Sequence, residues 1–137
     1  MLGEKISHTG TWHWLMEPDI QFISDEYKRI MGLPDGQKTT SMAEFQSRVH
    51  PDDIPCLKAM IDSHSRQGLI MQAEFRIIRD DGECRYIKGI GEPVDTWPEA
   101  REYFGTLTGI TSQRLSEDAT RIAQAELARV APATTVV

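Results

Sequence analysis

Glu74-Phe75-Arg76-Ile77-Ile78-Arg79-Asp80-Asp81-Gly82-Glu83-Cys84-Arg85-Tyr86-Ile87 is the stretch that decides the architecture. Asp81-Gly82 between runs rich in β-branched and aromatic residues is the strongest short-range signal for a β-hairpin. Pairing Arg79 with Cys84 sets Ile77 opposite Tyr86 and Phe75 opposite Lys88. In that register Met71, Ala73, Phe75, Ile77, Tyr86 and Ile90 line one face, and Gln72, Glu74, Arg76, Arg85 and Ile87 line the other. The first face covers a core. The second meets water or a partner.

The flanks read as follows. Thr11 to Met16 alternates as a strand, with Trp12, Trp14 and Met16 on one side. Pro18-Asp19 is a turn, and Ile20 to Ile23 is a second short strand. Ser24 caps a helix that carries Tyr27, Ile30 and Met31 and ends at Gly32. Thr40 or Ser41 caps a second helix with Phe45 and Val49 on one face. A longer helix opens at His50-Pro51-Asp52-Asp53, keeps Pro55 in its first turn and closes at Gly68. The hairpin spans Leu69 to about Val94. Arg101 to Ile110 is a last strand, with Tyr103, Gly105 and Leu107 alternating against Phe104 and Thr106. Ser112 to Val130 is an amphipathic helix, broken by Pro132. The order β-β-α-α-α-β-β-β-α implies an α+β fold, a five-stranded antiparallel sheet with helices on one face and a trailing C-terminal helix.

Bulk properties narrow the function. A chain of 137 residues holds one core plus attachments. Its 15 basic and 21 acidic residues give a net charge of -6, with no basic stripe to serve a nucleic acid. No apolar run is long enough for a membrane span, and no signal peptide opens the chain. Cys56 and Cys84 form neither a disulfide framework nor a metal pair by spacing. A cytoplasmic setting is expected, in a parent protein that can itself be membrane-anchored.

Five pieces in this order resemble a PAS domain, of the subclass common in bacterial sensor histidine kinases. They are Gly10-Thr-Trp-His-Trp14, Ser24-Asp-Glu-Tyr-Lys-Arg-Ile-Met-Gly-Leu33, Phe45-Gln-Ser-Arg-Val-His-Pro-Asp-Asp53, the hairpin from Glu74 to Tyr86, and Gly105 to Arg114. The resemblance implies a linker or helix over 1–9 and the PAS domain over 10–111. It further implies a signalling helix over 112–131 and a tail over 132–137 leading to an output domain outside this chain. It departs at the strand-to-helix junction, where Gly109-Ile110-Thr111 replaces the family's Asp-Ile-Thr. The carboxylate that helps couple core to helix is missing, and glycine loosens the backbone there. Ala125-Glu-Leu-Ala-Arg-Val130 with Thr134-Thr135 is similar to the segment entering the dimerisation and phosphoacceptor helices of histidine kinases. The fragment is then no enzyme itself, and its parent is a protein-histidine kinase.

Sites follow from this. A ligand pocket, if one exists, is expected at Tyr27, Phe45, Met60, Phe75, Ile77, Tyr86 and Leu107, and plain core packing is the competing expectation. Gly109, Ile110 and Thr111 form the signal junction. Leu115, Ala119, Ile122, Leu127 and Val130 form a stripe that pairs with its twin in a homodimer, with one irregular step after Ile122. His50, Asp52 and Asp53 carry acid/base or metal chemistry only in the less favoured small-enzyme reading. As plain structure, they put a proline and two carboxylates at the positive end of a helix. Cys56 lacks the Asn-Cys-Arg-Phe-Leu-Gln context of the light-sensing branch and is expected buried or half-buried. His64 sits among polar neighbours and is expected to be solvated rather than a haem ligand. No cofactor or metal is evident. Trp12 and Trp14 share a face, core or outer. The function expected is sensory relay to a kinase, with a ligand-free dimerisation module as the alternative.

Overall fold

The computed structural model describes residues 9–136, with side-chain surroundings for 9–127. The expected segment 1–9 thus lies outside the described residues except Thr9, as do the side chain of Val130 and those of the tail. Strands β1 (Thr9–Leu15) and β2 (Ile20–Ile23) precede helix α1 (Asp25–Met31). Then come β3 (Thr39–Thr40), α2 (Met42–Ser47), α3 (Ile54–Gln67), β4 (Met71–Ile78), β5 (Cys84–Pro93), β6 (Glu102–Gly109) and α4 (Thr111–Val136). The strands form one antiparallel sheet in the order β3-β2-β1-β6-β5-β4.

Local chemistry accounts for the helix ends. The Ser24 hydroxyl accepts from the Tyr27 amide, and that of Ser41 from the Glu44 amide at 3.0 Å, so each satisfies an orphan donor of a first turn. Gly32 and Gly68 end α1 and α3 as expected. Asp19 holds the β1–β2 turn, its carboxylate accepting from the Trp14 indole at 2.8 Å and the Met42 amide at 2.9 Å.

Four expectations are corrected. The sheet has six strands, because Thr39-Thr40 adds to the free edge of β2. The long helix starts at Ile54 rather than His50. The terminal helix runs through Pro132 to Val136, since one proline removes one intrahelical bond without ending the helix.

The fourth is the hairpin register. Arg79 and Glu83 close the turn, the Arg79 amide donating to the Glu83 carbonyl at 2.9 Å and the Gly82 amide to the Arg79 carbonyl at 2.8 Å. This is a loop of three residues, 80 to 82, whose last member Gly82 sits at φ 87. That left-handed position suits glycine and is the standard ending of such loops. The loop is one residue shorter than the expected pairing assumes, so Phe75 faces Ile87 and Arg76 faces Tyr86. A slip of one flips every side chain of one arm. Ile87 is 1% exposed in the core, and Tyr86 lies on the outer face with Arg76.

Helices α1 to α3 cover the inner face. Tyr27, Met31, Ile77, Ile87 and Tyr103 are almost fully buried there, worth roughly 1.5–3 kcal/mol for each such side chain. Trp14 is buried and Trp12 half-buried against the same core, so both indoles face the helices. The outer face keeps Phe22, Ile90 and Phe104 exposed.

The outermost strand β4 does not present a bare edge. The Ile78 amide donates to the Arg48 carbonyl at 2.9 Å, and the His50 amide to the Arg76 carbonyl at 2.8 Å. The Arg76 amide donates to Asp53 Oδ2 at 2.8 Å. The Arg48–Asp53 segment therefore seals an edge that would otherwise template pairing with another chain.

Candidate functional site

Between the sheet and α1 to α3 the core leaves a cavity of about 50 Å³. Sheet positions on β4 and β6 place Phe75 and Leu107 in its wall, while the helices supply Tyr27, Phe45 and Met60. The other two pocket candidates do not line it. Ile77 is packed solid at 0% exposure, and Tyr86 is on the opposite face because of the register. Sequence reasoning left Trp12 open between core and outer face, and it did not name Gln21, Met42, Met71 and Gly91 in the wall. Alternation with Trp12 and Trp14 across a hairpin could have pointed Gln21 inward, since Gln21 pairs with Trp14.

The floor is shaped by a row across the sheet. Trp12 pairs with Gly105, Gly105 with Gly91, and Gly91 with Met71. A Cβ at Gly91 would sit 2.5 Å from the Trp12 ring, and one at Gly105 would sit 2.6 Å from it. Only hydrogen at both positions lets the indole lie across the strands.

The wall carries no ionisable side chain except Tyr27, whose hydroxyl is pushed up by burial and stays neutral. Gln21 is 3% exposed, and its amide reaches the Met42 sulfur at 3.8 Å. The Tyr27 hydroxyl donates to Gln21 Oε1 at 3.4 Å. Trp12 Nε1 is buried without a hydrogen-bond partner.

The second feature is the joint between sheet and α4. Gly109 pairs with Ile87, and the Ile110 amide donates to the Tyr86 carbonyl at 2.8 Å. The Tyr86 amide donates to Thr111 Oγ1 at 3.0 Å. The Arg114 guanidinium lies 5.5 Å from the Tyr86 ring centre and 3.6 Å from the Glu74 carboxylate. The first turn of α4 is therefore clasped to β5 at one residue, Tyr86. Beyond it, Leu115, Ala119, Ile122 and Leu127 are exposed.

The remaining candidates are placed elsewhere. Asp53 receives three hydrogen bonds from Arg76, from its amide, its Nε at 3.0 Å and its Nη2 at 2.8 Å. That guanidinium holds the Asp53 carboxyl below the usual carboxylate range. Asp53 stands at the N-cap of α3, the helix end expected for it, but its side chain makes no cap bond and turns to Arg76 instead. His50 Nδ1 accepts from the Asp52 amide at 3.1 Å, while the Asp53 carboxylate is engaged by Arg76. Among the described residues no group of three or more His, Cys, Asp and Glu could hold a metal. Cys56 is exposed, not buried as expected, because the buried face of α3 at this point belongs to Leu57. His64 is half-buried and bonds through Nδ1 to the Met60 carbonyl at 2.9 Å; the cavity wall does not include it. No helix among the described residues is long and apolar enough to cross a membrane.

Comparison with known proteins agrees with this geometry. Superposition finds a sensory box histidine kinase/response regulator from Burkholderia thailandensis E264 at TM-score 0.75 and 24% identity, covering 93% of this chain and 96% of that one. The N-terminal domain of a diguanylate cyclase with PAS/PAC sensor from Marinobacter aquaeolei gives TM-score 0.70 and 20% identity, over 77% and 98% of the two chains. The Rhodobacter sphaeroides LOV protein gives 0.61 and 18%, over 77% and 62%. No curated protein matched the chain. A family model described as "PAS fold" matches residues 20–107, well over half the sequence. The chain therefore belongs to the PAS-fold family.

Proposed function

We propose that this chain is the sensory PAS domain of a two-component sensor histidine kinase, relaying a ligand or partner signal through α4 to a kinase output domain. The observation that carries it is the clasp at Tyr86. Phe75 walls the cavity and pairs with Ile87, the neighbour of Tyr86. A change in cavity packing therefore meets the clasp within one residue. Such a relay needs two packings within a few kcal/mol of each other. Arg114 and Glu74 supply charged contacts at a joint that lacks a junction carboxylate. The exposed stripe of α4 supports pairing with a second copy, because a lone helix of this length needs a surface for its apolar side. A bacterial, cytoplasmic setting belongs to the same proposal.

The small size of the cavity favours one other reading, a ligand-free dimerisation module. Native mass spectrometry and sedimentation of the purified chain separate the two. A dimer carrying a small molecule supports the sensor, whereas a stable dimer with none supports the module. Leu115→Glu with Ile122→Glu should give a folded monomer, and an unchanged dimer would refute pairing through α4.

A further inference from the structure

We propose that Asp53 governs the sheet-to-helix joint from a distance: by keeping hold of Arg76, it leaves Glu74 to Arg114 of α4. This takes its input from the relay proposed above and adds a second route to the same joint, around the edge of the sheet. Asp53, Glu74, Arg76, Tyr86 and Arg114 line one polar cleft of about 350 Å³ beside β4 and β5. Two guanidinium groups meet one tyrosine there. Arg76 is the cross-strand partner of Tyr86, and Arg114 lies over the tyrosine ring. Each cation has its own carboxylate, but the two pairs are unequal. Arg76 gives Asp53 three hydrogen bonds, at 2.8, 3.0 and 2.8 Å. Arg114 meets Glu74 at the longer distance of 3.6 Å, and its Nε is buried without a hydrogen-bond partner.

That inequality makes Glu74 contestable. Glu74 and Arg76 are two positions apart on β4, so they share a face of the strand. The Glu74 side chain is 52% exposed, and an ion pair so open to water is weak. If α3 draws Asp53 away, Arg76 keeps its charge and stands beside Glu74 with no carboxylate of its own. Capture of Glu74 by Arg76 then strips Arg114 of its partner, and the first turn of α4 loses a contact. Glu74 on Arg114 and Glu74 on Arg76 are the two arrangements that such a coupling needs. The input lies on the same helix as Asp53. Asp53 is the N-cap of α3, and Leu57, Met60 and Ile61 of α3 wall the cavity. A change of packing there moves the helix whose end holds Arg76.

The test is amide exchange of the chain, read by NMR at Ile110 and Tyr86. The Ile110 amide donates to the Tyr86 carbonyl and the Tyr86 amide to Thr111 Oγ1, so both report the closed joint directly. Asp53→Asn should speed both about two- to fivefold, although Asp53 touches neither. Glu74→Gln should speed them to a similar extent, and adding Asp53→Asn to it should change nothing further. Arg76→Lys, which keeps the charge and loses the fork, should act as Asp53→Asn does and replaces it if that variant does not fold. Leu33→Ala, a truncation of a buried residue outside the cleft, should leave the two amides as they are. Amides unmoved by Asp53→Asn, moved equally with and without Glu74, or moved no more than by Leu33→Ala would each overturn the proposal. No ligand enters the measurement, so its outcome is separate from whether the cavity senses a molecule.

Discussion

Replacing Ile87 and Tyr86 one at a time by alanine tests the register on which both the core and the joint depend. Ile87 is 1% exposed, between Phe75 of β4 and Gly109 of β6. Ile87→Ala removes three carbons, at about 0.8 kcal/mol each, and leaves a hole that its packed neighbours only partly close. The sum is about 3–4 kcal/mol. Tyr86 sits half-exposed on the outer face, where its ring meets the Arg114 guanidinium. Tyr86→Ala forfeits about 0.5–1 kcal/mol of cation–π attraction and part of the ring's burial, roughly 1–2 kcal/mol in all. Urea unfolding followed by tryptophan fluorescence measures both. With a slope of about 1–1.5 kcal/mol per molar, Ile87→Ala should lower the midpoint by about 2–4 M and Tyr86→Ala by about 0.7–2 M. The variants should also differ in kind. Tyr86→Ala should speed amide exchange in the first turn of α4 while the core stays protected, whereas Ile87→Ala should loosen the whole domain. Tyr86→Ala proving as costly as Ile87→Ala, or costlier, would refute the register. It is the result a four-residue turn would give, since that turn puts the tyrosine ring in the core.

Two further outcomes follow from the structure. Asp53→Asn should destabilise the fold by about 1–2 kcal/mol at neutral pH, a modest figure because the pair is partly open to solvent. Arg76 holds the folded-state pKa of Asp53 below its unfolded value. The stabilisation is therefore present above the unfolded value near ~3.9 and is lost as pH falls through the depressed folded value. Unfolding curves at neutral pH and near pH ~2 should show the gap between variant and parent closing in acid; a gap independent of pH would rule out the ion pair as its source. Gly105→Ala should prevent a stable fold, since its Cβ would lie 1.9 Å from the Ile90 carbonyl and 2.6 Å from the Trp12 ring. A cooperative melt near that of the parent would contradict the packing of the cavity floor.

Much of this molecule is decided over short stretches of chain. Ser24 and Ser41 begin helices and Gly32 and Gly68 end them, because each satisfies or releases backbone groups within four residues of itself. Asp81-Gly82 makes a hairpin wherever it is placed between such strands, and the alternation of Tyr103, Gly105 and Leu107 selects the inner face of β6. These local signals, in their order, were sufficient for the PAS fold. What depends on distant partners was not legible. The turn can close over three residues or four at similar local cost, and the choice falls to the burial of Ile87 against Phe75 and Gly109, which turns Tyr86 outward to the joint. Thr39-Thr40 has no pattern of its own and is a strand only because β2 offers an open edge. Asp53 reads as a helix-end carboxylate until β4 brings Arg76 to it from 23 positions away. Gln21 looks like a surface residue of a short strand, yet the pairing of β1 with β2 buries it opposite Trp14. The neutral wall of the cavity is therefore a product of tertiary packing, because strand pairing decides which side chains reach it.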